Sequence, residues 1–214
     1  MLLATLLALS LAAPDLDRAP PARPVASVEG GETLGSGGAE VAVSAGFSKV
    51  SAAYLQAWSD AVDLGAAASI DWLTSEILAG GLYRSLLWRS GATSAAWSAR
   101  AGLYSNLGAD WAVSANRGGT GVQVSPGLAI SRRLASGLLS LRADVPLTVT
   151  FDRGGGYAVG LQGAVVFETP LWGDLLVGAR AGGGALWSTS DAPFGGDSPR
   201  AVLDLAALLT YRLF

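Results

Sequence analysis

Residues 139–149 read LSLRADVPLTV. Leu139, Leu141, Ala143, Val145, Leu147 and Val149 are apolar, whereas Ser140, Arg142, Asp144, Pro146 and Thr148 between them include two full charges. Successive side chains of an extended chain point to opposite faces, so this segment has one apolar face and one polar face. A helix would set residues 142 and 144 about 200° apart and spread their charges round its surface. The alternation predicts a strand. It recurs over 62–72, where Val62, Leu64, Ala66, Ala68, Ile70 and Trp72 alternate with Asp63, Gly65, Ala67, Ser69 and Asp71. Farther along, Val122, Val124, Leu128 and Ile130 are set against Gln123, Ser125 and Ser131.

Extended along the chain, this reading predicts about ten strands, near 38–48, 61–72, 76–87, 95–105, 108–116, 120–132, 137–150, 156–168, 174–187 and 201–213. The pattern is most blurred over 76–87. Pro126 and Pro146 fall inside predicted strands, where each removes a ladder donor, and bulges are expected there. Connectors sort by parity: 73–75, 106–107, 133–136 and 169–173 are short, while 49–60, 88–94 and 188–200 are longer. The connectors 117–119 and 151–155 belong to the second set.

The chain has 214 residues, 50 % apolar and 14 % charged, with 29 glycines and a net charge of −3. Mean hydropathy is +0.41, yet past the N-terminus no uncharged run reaches the 20 or so residues a membrane helix needs. Apolar character that is dispersed and interrupted suits a membrane β-barrel. With no Cys and no His, disulfides, thiolate chemistry, imidazole metal sites and Ser-His-Asp triads are excluded. The slightly negative charge gives no support for a nucleic-acid partner.

Residues 1–13, MLLATLLALSLAA, read as a signal peptide cleaved after Ala12 or Ala13, although no Lys or Arg precedes the apolar core. The alternative is a buried N-terminal helix. Residues 14–33, with four prolines and no periodicity, read as a flexible linker, leaving 34–214 as the folded body. Most aromatic side chains fall near predicted strand ends: Phe47, Trp72, Trp88, Trp97, Tyr104, Trp111, Phe151, Tyr157, Phe167 and Trp187. Amphipathic rings prefer membrane interfaces.

The signal-like start, the alternating segments, the aromatic ends and a last strand closing on Phe214 together resemble a small Gram-negative outer-membrane β-barrel protein, over about residues 34–214. The resemblance is one of architecture and carries no functional motif. It implies a closed antiparallel up-and-down transmembrane barrel of about ten strands, with eight or twelve as alternatives. It also implies export to the outer membrane, contact with lipid, monomeric state, and recognition of Phe214 by the barrel-assembly machinery. The apolar set Leu203, Leu205, Ala207, Leu209, Tyr211 and Leu213 is out of phase with Phe214, a departure from the usual pattern. On this reading 73–75, 106–107, 133–136 and 169–173 are periplasmic turns and the other connectors outer loops.

No catalytic residue, cofactor or metal site emerges from the sequence. A Ser-Lys pair is conceivable only for Lys49 with Ser48 or Ser51, and a solvated lysine at the barrel lip is the plainer reading. Gly154–156 and Gly182–184 read as barrel curvature and Arg132-Arg133 as solvated turn charges. The polar faces place Glu40, Asp63, Arg84, Arg100, Asp110, Arg142, Asp144, Arg180 and Asp204 in the lumen, where opposite charges pair to avoid unpaired burial. A non-enzymatic structural or surface-interaction barrel filled by these pairs is expected. The alternatives are a narrow, porin-like passive pore for small polar solutes and a soluble secreted ligand-binding barrel. Val145 should face lipid, and Ser140, on the polar face, should accept an arginine.

Overall fold

The computed structural model describes residues 27–108, 118–151, 156–189 and 199–213, with no helix among them. Its strands are β1 (Ala39–Gly46), β2 (Lys49–Ser59), β3 (Val62–Asp71), β4 (Glu76–Ser90), β5 (Thr93–Asn106) and β6 (Gly119–Leu134). They continue with β7 (Gly137–Asp144), β8 (Leu147–Thr150), β9 (Gly156–Trp172), β10 (Leu175–Ser188) and β11 (Arg200–Arg212). All pairings are antiparallel, and β1 pairs with β11 as well as with β2, so the sheet closes on itself. β7 and β8 lie end to end between β6 and β9 in one unbroken register, which gives a ring of ten strand positions. Followed once round, the registers return to β1 about twelve residues farther on, a stagger that tilts the strands by about 40°.

The prolines break a strand without shifting it. Pro126 accepts from the Val145 N–H at 2.9 Å, and Pro146 accepts from the Gly160 N–H at 2.7 Å. Each proline forfeits only the bond its own nitrogen would have donated. The expected bulges are absent at both positions: the ladders on either side keep their register, and the cost is the gap between β7 and β8.

The ring differs from the expected one in a single strand. β2 occupies residues 49–59, where an outer loop was expected, and the predicted strand 108–116 lies almost wholly outside the described residues. Inserting β2 moves two connectors to the opposite end. Connectors 60–61, 91–92, 135–136 and 173–174 lie at the end where β1 starts and β11 finishes, here the terminal end. Connectors 47–48 and 72–75 lie at the other, the loop end, where β5, β8 and β10 also finish and β6, β9 and β11 begin. The turn at 73–75 thus lies at the loop end and the turn at 91–92 at the terminal end, while Asn106 and Gly119 close β5 and open β6.

Leucine, valine and isoleucine rows face outward. Val41, Val43, Ile70, Leu103, Val124, Leu128, Ile130, Val149, Val165, Leu203 and Leu209 are all exposed, while their strand neighbours point inward. Phe47, Trp72, Phe151, Tyr157 and Trp187 ring the outside at the loop end. Trp58, Trp88, Trp97, Trp172 and Tyr211 do so at the terminal end, with Trp97 against Tyr83 at a centroid distance of 4.8 Å. Between Tyr157 and Phe167 the strand rises about 33 Å, or about 25 Å along the barrel axis at this tilt. That height matches the apolar band of an outer-membrane barrel. Tyr104 breaks the expectation. It is 1 % exposed and points inward against Leu78, with its hydroxyl accepting from Asn106.

Candidate functional site

Ten strand positions enclose more space than inward side chains fill, since eight leave an interior just wide enough for them. A chain segment takes up the excess. Residues 27–34, whose first seven belong to the stretch read as flexible linker, run inside the terminal half of the barrel. Ser27, Val28, Glu32, Thr33 and Leu34 are all buried there. Burial of backbone requires partners, and the wall supplies them. The Val28 N–H donates to Glu40 Oε1 at 2.7 Å, and the Gly31 N–H donates to Ser131 Oγ at 2.7 Å. The Leu34 N–H reaches both Asp63 oxygens at 3.3 Å. Asp63 in turn accepts from Arg84 Nε at 2.8 Å, and that guanidinium donates to the carbonyls of Ser27 and Gly30. Val28 and Leu34 pack on Leu55 of β2, with Ala53, Ala57 and Leu82 around them. Gly31 lies so close to the Ala129 and Ser94 carbonyls that a Cβ would overlap the β6 backbone.

Two acidic residues lock this plug to the wall. Glu32, 2 % exposed, takes both arms of the Arg133 guanidinium, with Arg89 at 3.5 Å. Arg133 is therefore a plug anchor and not a solvated turn charge. Glu29 is the hub of the second set. Its two oxygens accept from Arg142 Nη1 at 2.7 Å and Arg180 Nη1 at 2.9 Å. Arg142 also holds Asp144 through two bonds of 2.5 and 2.9 Å, and Arg180 holds Asp204 at 2.7 Å. Burial alone would raise the Glu29 pKa, but Arg142, Arg180 and Arg100 outweigh it and bring the carboxyl down to about 2. The Asp60 carboxylate, outside the strands, is also held low, by the hydroxyl and backbone N–H of Ser36.

Above Glu29 the loop half of the barrel keeps a polar cavity of about 210 Å³. Glu29 forms part of its floor, and Lys49, Arg100, Ser125, Gln162 and Arg200 are among the side chains on its walls. Lys49 is half-buried and faces this cup, which corrects its expected place on a solvated lip. Ser48 donates to Asp71 at 2.9 Å and Ser51 shares its hydroxyl bond with Ser44 at 2.6 Å, so no bond joins either serine to the Lys49 amine.

Of the lumen charges read from the sequence, the structure turns Glu40, Asp63, Arg84, Arg100, Arg142, Asp144, Arg180 and Asp204 inward. Asp110 and Trp111 lie outside the described residues, as do Phe214 and residues 1–26. Sequence reading missed Glu29 and Glu32, which sit in an aperiodic stretch beside Gly30 and Gly31. Their only trace is the pair of apolar residues, Val28 and Leu34, on either side. It also missed Glu168, 1 % exposed and accepting from Thr210 at 3.2 Å, and Arg212, 3.9 Å from Glu40. Ser140 is buried too. It sits 2.6 Å from Ser131, directly behind the plug, and has no room for an arginine. Among the described residues no cluster of acidic side chains is arranged to hold a metal ion. Comparison with family models, with curated proteins and with solved structures finds no match to this chain.

Proposed function

We propose that this chain is an outer-membrane β-barrel, exported by its N-terminal segment, that works as a closed body. Its roles are structural and at its loop-end surface. The observation carrying this reading is the inverted distribution of polarity. Aliphatic rows face outward between two aromatic rings, while charges and a buried peptide segment fill the inside. An exposed apolar surface that encircles a molecule far exceeds what a soluble monomer presents, and lipid is the solvent that accommodates it. Arg84, Glu32 and Glu29 tie the plug to the wall through buried charged bonds, which supports a closed body over a pore. The cup of about 210 Å³ is the one feature favouring the second reading, a gated narrow pore, because it opens half of the path.

Membrane fractions of cells expressing the chain provide the test. The protein is expected to stay with the membrane through washes in alkaline carbonate and in about 1 M salt, which cuts the Debye length to about 3 Å, and to be released by detergent. Release by carbonate alone would reject the lipid-embedded reading and promote the soluble ligand-binding barrel.

A further inference from the structure

Partnerships around the cup leave a remainder. Five carboxylates line it, and each is engaged. Glu29 is held by Arg142 and Arg180, Asp144 by Arg142, and Asp204 by Arg180. Asp71 accepts from Ser48 and from the Leu73 and Thr74 backbone N–H groups, and Glu76 has Thr74 as its hydrogen-bond partner. Two cations on the same wall, Lys49 and Arg100, make no hydrogen bond or ion pair among the described residues, and Arg100 Nε is buried. Lys49 sits opposite Asp71 in the β2–β3 register, yet that carboxylate is spent on its own turn. Both cations face the cup, with Glu76 and Asp204 acting on Lys49 and Glu29 and Asp144 on Arg100 from beyond hydrogen-bond or ion-pair distance. Ser125, cross-strand neighbour of Arg100, and Gln162 likewise have unengaged polar ends facing the cup.

Two cations with unspent donors face one polar cavity inside the barrel, and burying such groups without a counter-ion is costly. It becomes favourable when an oxyanion lies between them, because a guanidinium fork and an ammonium then both make charge-assisted bonds. We propose that the cup is a binding site for a small oxyanion, a carboxylate or phosphate solute, gripped by Arg100 and Lys49 and seated by Ser125 and Gln162. At roughly 10–15 Å³ of such space per water, the cavity of about 210 Å³ holds on the order of fifteen waters, which is room for a small solute. This inference does not depend on the bilayer assignment, since the cup lies inside the barrel in either case.

The test is calorimetric titration of the folded, full-length protein in a non-ionic detergent with inorganic phosphate, with citrate and with neutral glycerol. Saturable binding of one or both anions is expected, with glycerol silent. Arg100→Gln and Lys49→Gln should each weaken it tenfold or more, and Arg100→Lys less than Arg100→Gln. Absence of saturable anion binding by the unaltered protein would overturn the proposal. Undiminished affinity in both glutamine variants would do the same. If Arg100→Gln does not fold, the decision rests on Lys49→Gln together with the unaltered protein.

Discussion

Glu29 is the residue on which the interior balances. It neutralises parts of two guanidinium groups that are themselves committed to Asp144 and Asp204, so its loss leaves buried positive charge without its counter-ion. Removing one partner of a buried pair costs about 3–5 kcal/mol, and Glu29→Gln is expected to lower unfolding stability by that order at neutral pH. The sign of the pH dependence follows from the depressed pKa. The stabilisation is complete above the ordinary carboxylate pKa of 4.5 and disappears as the pH falls through about 2. The stability gap between the native protein and Glu29→Gln should therefore be constant from pH 8 to about pH 5 and shrink steadily below it. Urea unfolding followed by tryptophan fluorescence measures this, and a gap unchanged down to pH 2.5 would refute the assignment. Face assignment is also a residue-scale matter. Val145→Arg places a charge on the outward apolar face and should cost about 2–4 kcal/mol or block insertion. Ser140→Arg should be as damaging for a different reason, because it drives a side chain into Ser131 and the plug. A folded yield for Ser140→Arg equal to that of the native protein would mean that the segment 27–34 does not lie where the structure puts it.

At the level of elements, what the sequence revealed and what it hid have one cause. Strands such as β3 and β7 were legible because their inward faces meet charges and water while their outward faces carry aliphatic rows. β2 was not. Its inward residues Ala53, Leu55 and Ala57 are apolar because they meet Val28 and Leu34 of the plug, and Gln56 points outward, so the period of two carries no polarity contrast. A neighbour drawn from elsewhere in the chain erased the signal. β4 was blurred for a related reason, since its irregularity between Leu86 and Trp88 switches the phase near the end of the strand. The plug itself has no period to read, being a short irregular segment whose backbone bonds go to side chains of the wall. Its tightest point is Gly31, and Gly31→Leu is expected to expel the segment while leaving the ladders intact. Limited proteolysis should then cleave the chain between residues 27 and 38 in the variant and spare that stretch in the native protein.

For the whole molecule, the lumen is divided into a terminal half occupied by the plug and a hollow loop half. In planar bilayers the native protein is expected to show no steady conductance, whereas Gly31→Leu should show ohmic steps. Steps of equal size and frequency in both would assign the barrel a permanent channel. The global shape was the most legible property of the sequence, because alternation reports directly on two-faced strands, whereas the parity of connector lengths misled where β2 replaced the expected loop 49–60. The cup was only half legible. Arg100, Arg142, Asp144, Arg180 and Asp204 were placed inside from the face pattern, but Lys49 was expected on the lip, and the pairing of Arg142 and Arg180 depends on Glu29, supplied by a segment with no sequence signature.

The position of the plug in the chain has a consequence for how the molecule is made. Residues 27–34 lie just before β1, while the seam of the cylinder joins β1 to β11, which follows the other ten strands in the chain. A peptide tethered to β1 is therefore already present when β11 emerges and the β1–β11 seam can form. A segment seated that early would serve the closing cylinder as a mandrel.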